Sequence, residues 1–501
     1  MTELSRRSAI KTGLIAAVAA GASAGSVTAG AATKEPKKMV YDVVVVGSGC
    51  AGMAAAIEAK RKGYNVCILD KMSRPAGNTI YAGGIINAAG TYVQKRDGVK
   101  DDLNTFYDDM MKVSLGRGDK ELTRMYVEQS ADAVQWLTDV CGVKFRKLEK
   151  EVWPMLQRGH VVDGPLRPAG AQLSKQMLDT AKKLGVPIYF NTKVIELTHD
   201  NVLRCTGCKV VIDDEEPAEF VAKGGVVIAT GGFHANKEMV TRYMGGDTAW
   251  MPLRGSTVCT GENISLTMPF NPMYVNMDQF HGGPIHGPTR ANPSIMVNYG
   301  ILVKKDGTRF IDEVETYVYV AKAMPKLIPT NQAFIIIDNQ VTGISTIDDR
   351  IKRYERAHAK YFKANTIKEL ATQAGIPAET LDKVVSQYNA AVKAGKGNTL
   401  TPPNTLKEPR LLTTPPFYAF PFMGGMTATF GGPKINKDAE ILNTEGKVIP
   451  GLYAAGNAIG GLLYNDYIGG SQLCSAIKLC SAIIWGRVAG VKAGERAKKM
   501  M

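Results

Sequence analysis

A chain of 501 residues, 45% hydrophobic and 22% charged, can bury a large core and exceeds the usual size of one domain, so two domains are expected. Its formal charge of +14 is dispersed and accompanied by no nucleic-acid-binding motif, which excludes nucleic acid as a partner. Eight cysteines without a regular framework and six scattered histidines exclude a disulfide scaffold and a metal site: Cys205-Thr206-Gly207-Cys208 is followed by Lys209 rather than His, no second CxxC completes a zinc site, and His281 and His286 have no acidic companions.

In chain order, Ser5-Arg6-Arg7-Ser8-Ala9-Ile10-Lys11 is a twin-arginine pattern before an Ala-rich apolar run, and Ala29-Gly30-Ala31 fits a processing site. Residues 1–31 therefore read as an export signal rather than a membrane span, with the mature chain opening near Ala32. Their removal takes away three basic and one acidic side chain, leaving +12. The mature protein is expected outside the cytoplasm, in the periplasm or its equivalent.

Residues 40–46 form a short valine-rich run that predicts a buried parallel strand. A helix follows over 52–62, with Gly63 as its C-cap, and a second strand over 65–69 ends at Asp70. In the turn between them, Gly47 permits the bend, Gly49 lets the backbone approach a pyrophosphate, and Gly52 lets helix and strand pack closely. Asp70, about twenty residues on, suits ribose hydroxyls. Strand, glycine turn, helix, strand and terminal acid define a dinucleotide site.

Two later segments repeat the strand-then-glycine pattern: 225–229 before Thr230-Gly231-Gly232, and 451–455 before Gly456-Asn457. If all three share one sheet, the nucleotide domain is discontinuous. The fold class is then α/β, a Rossmann-like domain over 32–284 and 429–501 with an α+β domain inserted at 285–428. That insertion holds strand-like runs at 300–304 and 333–337, helical stretches at 349–363 and 377–393, and a proline-rich return at 401–416.

The succession of the 47–52 turn, Asp70-Lys71, Gly77-Asn78-Thr79 with Ala82-Gly83-Gly84, Thr230-Gly231-Gly232 and Pro450-Gly451-Leu452-Tyr453-Ala454-Ala455-Gly456-Asn457 resembles the flavoprotein superfamily of fumarate reductases, flavocytochromes c and ketosteroid dehydrogenases. The likeness runs through nearly the whole mature chain. It implies FAD as cofactor, with the inserted domain capping the flavin end. Carried over, Gly47, Gly49, Cys50, Ala51, Gly52, Asp70, Lys71, Gly77, Asn78, Thr79, Gly83, Gly84, Val194, Thr230, Gly231, Gly456, Asn457, Ser471 and Leu473 hold the cofactor. Members with covalent FAD place histidine where Asn78 stands, so non-covalent FAD is expected.

The same resemblance locates the substrate pocket and shows where this chain departs. The fumarate reductases carry an arginine proton donor where Tyr317 stands, a carboxylate-clamping arginine where Tyr467 stands, and a histidine where Ala428 stands. A dicarboxylate in a dry pocket needs paired cations, whereas tyrosines hydrogen-bond a neutral carbonyl and exchange a proton. Tyrosines at these two positions resemble the ketosteroid dehydrogenases, although the further tyrosine those enzymes bring from the FAD domain is missing from 153–169. Arg167, Arg254 and Arg290 remain candidates for holding a single carboxylate.

The expected reaction is hydride transfer between flavin and the β-carbon of an α,β-unsaturated carbonyl compound such as an enone, steroid or acrylate. Tyr317 exchanges the α-carbon proton, and Tyr467 with the backbone N–H of Gly470 or Ser471 stabilises the enolate oxygen. The chain has one dinucleotide fingerprint and no CxxCH haem motif. Electrons are therefore expected from a separate protein, such as a multihaem c-type cytochrome or a quinol-linked protein, which favours an anaerobic respiratory reductase. The alternatives are a ketosteroid-type dehydrogenase forming the double bond and a non-catalytic flavin electron carrier, which would need no capping domain.

Overall fold

The valines at 43–46 are buried, in a strand, Lys37–Val46, that lies in the middle of a sheet with helices packed on it. The computed structural model describes residues 37–150, 156–464 and 473–500, the side chains of 473–475 apart. Among these, the sheet runs Glu440–Leu442, Val448–Ala454, Glu216–Ile228, Lys37–Val46, Val66–Leu69, Ile188–Tyr189. Val46 lies opposite Leu69 on one side and Ile228 on the other, and Ile228 lies opposite Ala454, all in parallel register. The three strand–glycine segments thus end side by side at the carboxyl edge, where open α/β sheets bind their ligands. An antiparallel hairpin, Thr192–His199 with Cys205–Ile212, extends the sheet from Glu216–Ile228. It carries Cys205 and Cys208 as free, buried thiols.

The Cys50–Arg61 helix is buried along nearly its whole length, since its small side chains let both the sheet and the Leu473–Lys499 helix approach it. From the latter, Ile477, Ile483 and Trp485 enter the core. Among the described residues no helix is long and apolar enough to cross a membrane.

A second, antiparallel sheet runs Phe280–Ile285, Phe417–Thr429, Ala333–Asp338, Ile301–Lys304, with Phe362–Ala364 also paired to Phe417–Thr429. The helices Tyr317–Leu327, Ser345–Arg356, Ile367–Ala374 and Ala378–Lys393 belong to this half. The sequence leads to a helix over 349–363, but the chain turns at His358, where φ is +50°, and residues 362–364 pair as a strand. The helix instead begins earlier, at Ser345.

A buried ion pair fixes the approach to Tyr317. Arg309 Nε donates to Glu313 Oε1 at 2.8 Å, its Nη2 donates to Glu313 Oε2, and its other protons go to the carbonyls of Pro402 (2.6 Å) and Pro403 (2.9 Å). Asn404 Nδ2 donates to the same carboxylate at 2.9 Å. With both carboxylate oxygens of Glu313 and the guanidinium of Arg309 hydrogen-bonded, the pair holds the proline-rich return segment against residues 309–313. Three residues on, the Thr316 hydroxyl accepts from Tyr319 N at 3.2 Å and caps the next helix, so Tyr317 is its first residue.

Candidate functional site: a continuous cavity from the glycine turn to Tyr317

The turn after Val46 fits a nucleotide only because it is made of glycine. Gly47 has φ +107°, and a Cβ there would lie 2.5 Å from Ala229 O; a Cβ on Gly52 would lie 1.8 Å from Gly47 O. Gly49 caps the Cys50–Arg61 helix without any side-chain hydrogen bond, leaving the helix N-terminus to an anionic ligand. Asp70 ends the next strand. Its Oδ2 accepts from Ser48 N at 2.8 Å and its Oδ1 from Met72 N at 2.9 Å, which aims the carboxylate while leaving lone pairs for hydroxyl donors.

The loop at 77–79 is tied to both halves of the molecule. Thr79 Oγ1 accepts from Cys50 N at 3.1 Å, Asn78 Oδ1 accepts from Ser256 N at 2.7 Å, and Asn78 Nδ2 donates to Thr427 O at 3.1 Å. Lys71 donates to Thr260 Oγ1 at 2.8 Å and pairs with Glu262. Burial raises the Glu262 pKa, but the bonds from Lys71 and Thr260 outweigh it and hold the carboxyl below its ordinary value. The Lys71 charge is thus already matched by a carboxylate.

These elements line one cavity of about 920 Å³. It receives Gly47, Gly49, Cys50 and Ala51 from the turn, Asp70 and Lys71 from the strand end, and Gly77, Asn78, Thr79 and Gly83 from the loop. Val194, Thr230, Gly231, Gly456 and Asn457 complete that half. Gly52 and Gly84 are not on its wall: each permits close packing, Gly84 against Ala169, where a Cβ would lie 2.4 Å from the carbonyl carbon. Ser471, Tyr467 and Gly470 lie outside the described residues, as do the side chain of Leu473 and the residues of the export signal.

Tyr317, buried, lines the same cavity from the antiparallel half. Arg254, Arg290 and Arg167 line it too. Arg254 Nη1 donates to Thr427 Oγ1 at 3.1 Å, so the residue whose carbonyl is bonded by Asn78 also orients this guanidinium. Arg290 Nη2 donates to the carbonyls of Leu253 (2.8 Å) and Gly255 (3.0 Å), bracing the segment that carries Arg254. Arg167 is exposed and bonded to Gly164 O and Leu166 O.

Three cavity residues carry no signal in the sequence. His281, one of two neighbouring histidines without acidic companions in the sequence, lies on the cavity wall, directly across the ladder from Ala428. Burial pushes its pKa well below the ordinary value, and the Arg254 and Lys322 cations add to the effect, so the imidazole is neutral at pH 7. Arg350 and Arg353 enter from the Ser345–Arg356 helix. No local pattern marks them, since a basic residue on an amphipathic helix reads as solvated surface. The site therefore combines a buried tyrosine, a neutral histidine and guanidinium groups, a set able to bind an oxyanion or carbonyl and to exchange a proton beside it.

A family model described as "FAD binding domain" matches residues 42–474. A probable fumarate reductase (Ifc3) of Shewanella frigidimarina is 30% identical, over 91% of this chain and 75% of its own length. A urocanate reductase of Eggerthella lenta is 29% identical over the same shares. Among solved structures, the open conformation of a flavocytochrome c3 fumarate reductase superposes with a TM-score of 0.79 at 29% identity, covering 92% of this chain and 79% of that one. The 3-ketosteroid-Δ4-(5α)-dehydrogenase of Rhodococcus jostii RHA1, in complex with 4-androstene-3,17-dione, gives 0.70 at 27% identity, covering 93% and 99%.

Proposed function

From a chain that belongs to the FAD-binding domain family, and is an FAD-dependent oxidoreductase, we propose a reductase of the carbon–carbon double bond of an α,β-unsaturated carbonyl compound, exported and fed by a separate electron-transfer protein. The observation that carries this reading is the single cavity joining the glycine turn and Asp70 to Tyr317, His281 and Arg254. Bound FAD supplies the hydride.

The chain's own residues supply the rest. Arg254 and the neutral His281 bind the carbonyl or carboxylate oxygens and stabilise the negative charge that develops there as the β-carbon is reduced. Tyr317 lines the cavity with a phenol O–H and delivers that proton to the α-carbon. The hydrogen bond from Asn78 to Thr427 and the one from Arg254 to Thr427 tie the cofactor loop to the substrate groups, so that both are positioned by the same residue. Non-covalent attachment fits Asn78, whose amide is spent on Ser256 and Thr427 and offers no nucleophile.

Export rests on the twin-arginine pattern, and the separate donor on the lack of a second redox motif in the sequence. A haem-protein or quinol-linked donor supplies two electrons per turnover. A second reading, a ketosteroid-type dehydrogenase, is favoured by the likeness to the Rhodococcus enzyme. Several guanidinium groups in the cavity favour an anionic substrate over a neutral steroid ketone. Oxidation of a reduced viologen dye by the purified FAD protein, offered enoates, enones, steroids and fumarate in turn, tests the proposal. Reduction of an enoate or enone supports it; no dye oxidation with any of them, with steroid desaturation the one turnover seen when an oxidised dye is supplied as acceptor, sinks it.

A further inference from the structure

Arg350 is placed where a cation has no business without an anion. Its side chain is only 14% exposed, and its Nε is buried without a hydrogen-bond partner. The carboxylate paired with it, Asp349, stands 3.9 Å from Nη1 and is taken by Arg353 Nε at 2.8 Å, with Arg356 a further 3.7 Å neighbour. One carboxylate thus serves three guanidinium groups, and the one on the cavity wall with the longest separation is Arg350. A buried, underneutralised guanidinium is costly unless a ligand supplies the missing charge. Its planar fork of donors matches a carboxylate in two parallel hydrogen bonds, which a lysine cannot reproduce.

Resting on the reduction proposed above, the geometry points to Arg350 as the anion anchor of the substrate pocket. It takes the carboxylate of an enoate substrate in the cavity lined by Tyr317 and Arg254. Recognition of the anion is thereby moved from the two sequence positions occupied by Tyr317 and Tyr467 to the Ser345–Arg356 helix. Electrostatics agree with this placement: burial and the Arg353 charge push the Arg350 pKa down to about 10, Asp349 pulls it back, and Tyr317 and Arg254 are both close enough to contribute. The guanidinium stays protonated at neutral pH, and a bound carboxylate relieves its repulsion with Arg254. The proximity of Tyr317 sets the acid beside the carboxylate-bearing α-carbon of such a substrate.

The test uses the FAD-loaded protein and does not depend on turnover. Propionate, succinate and 3-phenylpropionate, with 3-phenylpropionamide as the neutral counterpart, are titrated while the flavin absorption spectrum is followed. The parent is expected to bind at least one carboxylate more tightly than the amide by about tenfold or more, as loss of a charged hydrogen bond predicts. Arg350→Gln is expected to weaken that carboxylate by roughly 30-fold or more and to leave flavin content intact, with Arg350→Lys intermediate. Should Arg350→Gln fail to retain FAD, Arg350→Lys decides by the same carboxylate-to-amide ratio. Failure of every carboxylate to perturb the parent, or equal carboxylate affinity in parent and variant, overturns the anchor. Arg350-dependent carboxylate binding without reduction of any enoate leaves the anchor standing and removes the proposed reaction instead.

Discussion

His281 lies directly across the antiparallel ladder from Ala428. The position at which the resemblance calls for a histidine is filled by alanine, while the neighbouring strand presents one, buried and neutral, on the wall of the same cavity. His281→Ala is expected to lower kcat/KM for the accepted substrate by about 10²-fold, the scale of losing one oxyanion-stabilising donor. Retention of flavin by the variant confirms that the loss is one of substrate chemistry. An unchanged kcat/KM would take His281 out of the site.

Tyr317 is the first residue of a capped helix and is buried in the cavity. Tyr317→Phe removes one hydroxyl and little volume. Turnover is expected to fall by about 10²- to 10⁴-fold, the ordinary range for general acid catalysis, with the flavin spectrum preserved. Steady-state dye oxidation measures it, and near-normal activity would exclude the hydroxyl as the proton donor.

The glycine turn has no room for a side chain. Gly52→Val places a branched side chain at a Cβ position 1.8 Å from Gly47 O, so helix and turn have to separate. The expected result is loss of at least about 1–3 kcal/mol of stability and of most bound flavin, read from the ratio of flavin to protein absorbance after purification. Stoichiometric FAD in this variant would mean that the close approach is dispensable.

The approach to Tyr317 depends on Arg309 and Glu313. Glu313→Ala strands a buried guanidinium, and a destabilisation of about 3–5 kcal/mol is expected, seen as a lowered thermal midpoint. Exchanging both residues for apolar ones of similar volume is expected to restore much of that loss.

Three buried histidines set the acid side of the stability profile. Burial lowers His160 and His234 to about 4 and His281 well below its ordinary value. Each is neutral when folded but takes up a proton when unfolded below about 6.5, so the unfolded state gains protons as the pH falls. Stability is therefore full above about pH 6.5 and is lost as the pH falls towards 4, at up to about 1.4 kcal/mol per pH unit for each histidine. Denaturant midpoints between pH 7.5 and 4.5 should decrease steadily, and His160→Gln should flatten the slope.

What could be read from the residues followed local periodicity. The Lys37–Val46 strand, the glycine turn and the Asp70 terminus are contiguous, and valine-rich runs ending in glycine identify the three strands that meet at the carboxyl edge. The helix expected over 349–363 ended early because a strand pairing from distant Phe417–Thr429 claimed residues 362–364, which no local pattern records. His281 was invisible for the same reason: its significance lies in a cross-strand neighbour 147 positions away in the chain. Arg350 faces a cavity only because the Ser345–Arg356 helix packs where it does, so its sequence context shows a basic helix and nothing more.

The most direct measurement is a comparison of kcat/KM for fumarate with that for monocarboxylic enoates and enones, using reduced viologen as donor and mass spectrometry to count the hydrogens gained. The proposed chemistry predicts a product two hydrogens heavier from an enoate or enone, at a rate constant well above that for fumarate. Fumarate reduced fastest, with the others inert, would contradict it.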